Sequence, residues 1–289
     1  MHPAPSVIVF TVLSGLGFGF LTYLNLGLIL PQGLGGFLAF AIGYAFAIGG
    51  LIASTFHLGH PERAIRAFTQ WRTSWLSREG WAAVLALLAT APVALGAMGG
   101  ARPGLLGLIA ALLCLATIGC TSMIYAQLKT VPRWNHWTTP ALFFAFALTG
   151  GAILSDLAVL SAVLSLGLTA LLAVAFAQGE RRFAEAGASL ASATGLGAIG
   201  QVRVFEQAHT AGNYLLREMI HVVGRKHARK LQTIALIATV LPAAILLLLP
   251  GGLVTVLLAL AAHLTGAFAA RWLFFAQAEH VVGTYYGKR

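Results

Sequence analysis

Charge is what this sequence lacks. Only 9% of its 289 residues are Asp, Glu, Lys or Arg, against about 25% in a soluble domain. Hydrophobic residues make up 58%, and mean hydropathy is +0.85. A globule of this composition has too little polar surface to stay dissolved, so lipid is the better solvent for it. Cysteine is scarce as well. Cys114 and Cys120 share one apolar run; on a helix they are separated by about 9 Å along the axis, too far for a disulfide. Their spacing fits no zinc or iron–sulfur pattern, which leaves two buried apolar thiols. The sequence carries no metal, flavin or cluster motif, so this chain alone is not expected to oxidise or reduce a small substrate. The residues from Met1 to Ser6 lack the cationic region of a signal peptide. The apolar run after them is too long for one, which predicts a retained span.

What is present is a series of apolar runs, each near the ~20 residues that a membrane helix needs. They run from about Val7 to Leu30, Gly36 to His57, Trp81 to Met98, Leu105 to Gln127, Thr139 to Leu154, Ala158 to Gln178, Ile234 to Leu249 and Val254 to Ala276. Pro31-Gln32-Gly33, Arg102-Pro103, Asp156 and Pro250 to Gly252 punctuate them. The expected fold is all-α: one membrane domain over residues 1–289, a bundle of eight transmembrane helices. Residues 179–231 form its one long extramembrane segment, between helices six and seven.

The formal net charge of +10 does not point to nucleic acid, because the cations sit in loops between apolar runs. With eight spans, the side of the N-terminus holds both termini and the loops after spans two, four and six. That side collects Arg63, Arg66, Arg72 and Arg78, then Lys129 and Arg133, then the cations from Arg181 to Lys230, and finally Arg271, Lys288 and Arg289. Of all Lys and Arg, only Arg102 falls on the other side. An excess of Lys and Arg marks the cytoplasmic side, so both termini and the long segment are expected in the cytoplasm. The far side consists of short turns, which leaves a large partner only the cytoplasmic side to dock on.

Within the long segment, the part from about Ala211 to Leu231 has helical character and ends in a basic cluster from Arg225 to Lys230. It reads either as an amphipathic helix on anionic lipid or as a docking surface for a soluble subunit. Gly195, Gly197 and Gly200 form a formal Gly-x-Gly-x-x-Gly. A dinucleotide site needs a strand before it and a helix after it; a membrane span precedes it instead, so the match is read as chance. Gly15 and Gly19, four apart in the first span, suit close helix packing.

The densest polar patch near the membrane runs from His57 to Glu79. His57 closes the second span and Glu79 opens the third, so a helical hairpin puts both at one membrane depth. Trp71 and Trp75 between them suit the interface. A quinone headgroup needs donors to its two carbonyl oxygens and a carrier for protons. A His and a Glu at the edge of the apolar core supply both, and a nearby Arg stabilises a reduced headgroup. The plain alternative is that His57 and Glu79 pair and cap their helices. His263 lies mid-span, with Arg271 two turns later and His280 beyond the span. A haem b needs two facing deep histidines; only His263 is clearly deep, so no haem is expected. A secondary transporter for a small anion is a further reading, but it calls for internal repeats and broken helices, and neither is visible.

Residues Ser54 to Ala64 and Ser74 to Glu79, with Thr130 to Trp134 leading into Trp137 to Pro140, resemble the membrane anchor subunits of dimethyl sulfoxide reductase-type molybdoenzymes. The likeness runs over nearly the whole chain. Arg203 to Thr210, Arg217 to Met219, Arg271 to His280 and Tyr285 to Gly287 are most similar to the anchor of cytoplasmic membrane-bound sulfite dehydrogenases. The resemblance implies a complex in the bacterial inner membrane. A molybdopterin subunit does the substrate chemistry, a four-cluster iron–sulfur subunit relays electrons, and the anchor exchanges them with ubiquinone or menaquinone. Molybdopterin and iron–sulfur clusters are then expected only in the partners. His57 and Glu79 match the family's quinol-associated His and Glu. Arg63 and Ser77 are the supporting contacts expected around the headgroup, and His60, Arg271 and His280 are additional candidates. Arg203, Glu206, Arg217 and Glu218 are the expected docking residues for the iron–sulfur subunit. The direction implied is sulfite oxidation with quinone reduction; the alternatives are a quinol-oxidising reductase anchor and a purely structural anchor. The long segment and His263 depart from the dimethyl sulfoxide reductase pattern.

Overall fold

The computed structural model describes residues 1–57, 60–206, 213–220 and 226–286, with backbone only at His57, Pro61 and Leu216. Among these residues the chain is helical, without a strand. Eight long helices match the eight apolar runs one for one: α1 (Pro5–Asn25), α2 (Gly33–Ala53), α3 (Trp75–Met98), α4 (Gly104–Ala126), α5 (Thr138–Leu154), α6 (Ala158–Gly179), α9 (Ala228–Leu248) and α10 (Leu253–Ala276). Two short helices, α7 (Arg182–Glu185) and α8 (Leu190–Thr194), follow α6. Seven of the long helices are long and apolar enough to cross a membrane. α5, at 17 residues, rises about 25 Å, short of a hydrocarbon core of about 30 Å.

The long helices pack as two rings. α1 to α4 touch in order, with α4 returning to α1; α5, α6, α9 and α10 do the same, with α10 returning to α5. The rings join along α1, which packs on α5 and α10, and along α4, which packs on α5. α1 is the central post: 78% of its apolar stretch is buried, against at most 50% for any other spanning helix. Small residues make that possible. A Cβ on Gly19 would stand 2.0 Å from the Ala147 carbonyl oxygen, and one on Gly50 would stand 2.3 Å from the Ser14 nitrogen. In lipid, where no hydrophobic force drives helices together, such backbone approach supplies the packing energy. Hydrogen bonds tie the rings further. Asn25 Nδ2 donates to Thr90 Oγ1 (2.9 Å), Tyr44 to the Leu87 carbonyl (2.6 Å) and Thr169 to Thr239 Oγ1 (3.0 Å). Asp156, at φ 52°, makes the tight turn between α5 and α6, a conformation that Asp tolerates better than most residues. Cys114 and Cys120 are both free thiols.

Three expectations change. The third span begins at Trp75, not Trp81. Ser74 is extended (φ −113°, ψ 124°) and the helix starts directly after it, so Ser77 and Glu79 lie within the first two turns instead of ahead of them. The seventh begins at Ala228, so Arg229 and Lys230 belong to its first turn. The helix expected over 211–231 is not continuous. A single turn, Leu215–Met219, ends where Ile220 leaves helical angles (φ −110°, ψ 62°). Residues 211, 212 and 221–225 of that stretch lie outside the described residues. The glycine motif has no strand before it: Gly195, at φ 70°, ends α8.

The N-terminal residues and the segment after α10 meet at one end of the bundle. The Met1 α-amino group donates to the Ala278 carbonyl (2.9 Å), His2 N to Glu218 O (2.7 Å) and Val281 N to Thr130 O (2.9 Å). His280 Nδ1 accepts from Val282 N at 3.0 Å. Burial, and after it the nearby α-amino charge, hold the His280 pKa below its ordinary value.

Gly19→Val should lower the thermal midpoint in detergent, because overpacking costs about 1–3 kcal/mol or more where backbone blocks the way. Gly167→Ala, with nothing within 4 Å of the added Cβ, should leave the midpoint unchanged. Because the folded-state pKa of His280 is depressed, its neutral form is the one that folding favours. The stabilisation is present above the unfolded value of about 6.5 and is lost as pH falls through the folded value. The protection factor for amide exchange at Val282 should therefore fall as pH drops below the ordinary histidine value, and this pH dependence should vanish in His280→Gln.

Candidate functional site

The hairpin between α2 and α3 is held down as a roof. A 3-10 helix, Pro61–Phe68, follows the short turn Ser54–His57 that extends α2. Ser77 Oγ donates to the Ala67 carbonyl, and Trp81 Nε1 donates to the Phe68 carbonyl at 3.0 Å. The Phe68 ring meets Trp81 edge-on at 5.5 Å. Gly80 makes room for it, since a Cβ there would lie 3.0 Å from the Phe68 ring. Arg78 closes the turn, donating to the carbonyls of Trp71 (3.0 Å) and Arg72 (2.7 Å) with its guanidinium over the Trp75 ring.

Beneath this roof, between α1, α2, α3 and α4, lies a cavity of about 670 Å³. Its walls are mostly apolar, with Val7, Phe10, Leu51, Leu87 and Ile124 among them. The charged lining groups are few: Glu79 inside, Arg63 and His60 at the exposed rim. Glu79 is buried, and Thr121 Oγ1 lies 2.5 Å from its Oε1. None of the ion pairs among the described residues includes Glu79. His60 Nδ1 and Arg63 Nε stand 2.9 Å and 3.9 Å from Glu62 Oε1. Ser54 and Thr55 line the cavity, but their hydroxyls donate to their own helix.

The structure thus brings Glu79, Arg63 and His60 to one cavity. Ser77 is buried and does not line it; its hydroxyl fastens the roof. His57 ends the turn whose Ser54 and Thr55 line the wall. The His57 side chain, with Leu58 and Gly59, lies outside the described residues. Arg271 is elsewhere. It is buried against aromatic rings, its guanidinium 3.5 Å from the Phe143 centroid. His263 is buried near it, tilted against Phe146 at 5.9 Å. His280 belongs to the terminal cluster and lines no part of the cavity. Arg203, Glu206, Arg217 and Glu218 are exposed on the extramembrane segment. Beside them Phe205 is 95% exposed and Ile199 84%.

Sequence reasoning missed Tyr125, which lines the cavity, and Thr121, which stands behind Glu79 and bonds to it. A threonine in an apolar span usually bonds to the carbonyl one turn back, and Thr121 has that partner too, Thr117 O at 3.0 Å. Only the fold shows that its hydroxyl also reaches a carboxyl group. Chemically, the arrangement is a largely apolar chamber with one deep carboxyl group, a hydroxyl partner and a cation at the rim. It suits a flat, mostly apolar ligand that exchanges protons.

The family model described as "DMSO reductase anchor subunit (DmsC)" matches residues 1–277. A sulfite dehydrogenase subunit from Allochromatium vinosum is 31% identical over 325 aligned positions, covering 99% of this chain and 99% of that one. No solved structure gives a significant match. With a helical membrane bundle and a family match over nearly its whole length, the chain belongs to the DMSO reductase anchor subunit family.

Proposed function

We propose that this chain is the quinone-reactive anchor of a three-subunit molybdenum oxidoreductase, passing electrons from an iron–sulfur subunit to membrane quinone. The observation that carries the reading is the cavity of about 670 Å³ with Glu79 buried in its wall. Cofactor and small-ligand sites are typically about 300–1,000 Å³, largely apolar, with a few placed polar groups. A quinone headgroup with part of its isoprenoid tail is such a ligand. In this reading the Glu79 carboxyl donates a hydrogen bond and a proton to one headgroup oxygen. His57, at the neighbouring end of α2, serves the other. Arg63 at the rim stabilises negative charge on the reduced headgroup. Ser77 acts indirectly, by holding the roof.

The same reading gives the chain its orientation. α5 also crosses, making eight spans, packed on α1 and α4 of the other ring, and the cation-rich end faces the cytoplasm in a bacterial inner membrane. There the hairpin roof and the long segment, with Phe205 and Ile199 exposed, receive the iron–sulfur subunit, which carries the molybdopterin subunit. The name of the relative, a sulfite dehydrogenase subunit, supports sulfite as the electron donor and quinone as the acceptor.

In the assembled complex, Glu79→Gln and His57→Ala should each lower quinone-linked turnover by about a hundredfold or more, with the three subunits still copurifying. Normal turnover in both variants would sink the assignment. A cysteine introduced at Arg181 should be labelled by a membrane-impermeant maleimide only in inverted vesicles, and one at Arg102 only in right-side-out cells. The opposite pattern would reverse the orientation.

A further inference from the structure

Behind Glu79 the interior is not solid. A chamber of about 20 Å³ lies where α1, α4, α5 and α10 meet, lined by Thr11, Ser14, Thr121, His263 and Arg271 among others. A second, of about 50 Å³, is lined by Arg133, Thr138, Thr139, Gln277 and again Arg271. Arg133 and Gln277, which hydrogen-bond to each other at 3.0 Å, lie outside the long helices, at the end of the bundle where α10 finishes. Arg271 and Phe146 line both chambers. Thr121 lines the first chamber and holds Glu79, which lines the large cavity. The two chambers thus share Arg271 in their walls, and Thr121 connects the first of them to the Glu79 carboxyl.

Two features call for water along this line. Arg271 is 4% exposed, and no ion pair among the described residues includes it. An aromatic face offsets only part of the cost of burying a cation. His263 Nδ1 is buried without a hydrogen-bond partner. A space of about 20 Å³ admits one water molecule, which needs two to four polar partners, and this chamber offers them. Thr121 supplies the link to Glu79. Its hydroxyl has one proton and two neighbouring acceptors, Thr117 O and Glu79 Oε1. With Glu79 ionised, Thr121 donates to it. With Glu79 protonated, the acid donates to Thr121, and Thr121 donates to Thr117. The hydroxyl reorients with each change of the carboxyl proton.

We propose that Glu79 is reprotonated from inside the bundle, through water held in these two chambers beside Arg271 and handed on by the Thr121 hydroxyl. The inference rests on the quinone reading. With a headgroup in the cavity, the ring stands between Glu79 and the rim, so the back of the carboxyl group is its open side. One quinone takes two electrons from the iron–sulfur subunit and two protons to become a quinol, and one of those protons leaves the Glu79 carboxyl. The carboxylate then takes the Thr121 hydroxyl proton while Thr121 takes one from chamber water. The negative charge left on that water lies beside the Arg271 guanidinium, which stabilises it. A proton arriving through the outer chamber from the aqueous phase neutralises it.

The test uses the assembled complex, with sulfite as donor, or reduced methyl viologen should sulfite be inert, and a short-chain quinone as acceptor. Thr121→Val should lower kcat about tenfold with the quinone KM within about twofold, and Thr121→Ser should restore kcat. Gly15→Ala is the second variant. Gly15 lines the first chamber, and its added methyl meets only Ala147 Cβ at 3.9 Å. It fills water space without disturbing the packing, and it decides the matter if Thr121→Val does not assemble. In reduced-minus-oxidised infrared spectra, the carboxylic acid band that Glu79→Gln removes should exchange with D₂O more slowly in Gly15→Ala. Wild-type kcat and exchange in both Thr121→Val and Gly15→Ala, alongside a crippled Glu79→Gln, would overturn the relay and leave the quinone site standing. Wild-type turnover in Glu79→Gln would overturn both.

Discussion

The close approach of α1 to its neighbours is the constraint on which the rest of the structure depends. At Gly19 and Gly50 the backbones leave no volume for a side chain. Lipid offers no hydrophobic drive between helices, so contact at this range is what holds α1 at the join of the two rings. Once α1 is fixed, α2 to α4 close on one side of it, and α5, α6, α9 and α10 close on the other.

That geometry sorts the polar groups. Where backbones touch, there is no space for them. Space remains under the hairpin within the first ring and beside α10 at the junction of the rings, and polar groups occupy it. Glu79 faces the first ring's cavity, while Arg271 and His263 face chambers at the junction of the rings. Ionisable groups within a membrane bundle are costly to bury and mark function by default. Here the carboxyl and guanidinium groups form no ion pair with each other; a hydroxyl and water-sized spaces lie between them. That separation lets a carboxyl group change its protonation state without first breaking a salt bridge.

The long segment between α6 and α9 and the hairpin roof differ from the bundle in composition and in role. They carry half of the cations and exposed apolar side chains such as Phe205 and Ile199. In the proposed reading these are the surfaces on which a soluble partner of the anchor would dock.

By itself, the sequence determined whatever is local along the chain: the apolar runs, the turns at Asp156 and Gly252, the grouping of cations between apolar runs, and the polar hairpin with Arg63 and Glu79. Each of these is a local property, since hydropathy and charge are summed over neighbouring residues. The tertiary structure decided everything that needs two distant segments to meet. It placed Thr121 of α4 against Glu79 of α3, turned Ser77 from a ligand contact into a roof fastening, and set Arg271 over Phe143 at the ring junction. It also arranged eight helices as two rings although no repeat is visible in the sequence. Apolar periodicity is nearly uniform around helices bathed in lipid, so it does not report which face of a helix meets which neighbour. Steric fit at glycines and a few hydrogen bonds make that choice, and both exist only once the helices are together.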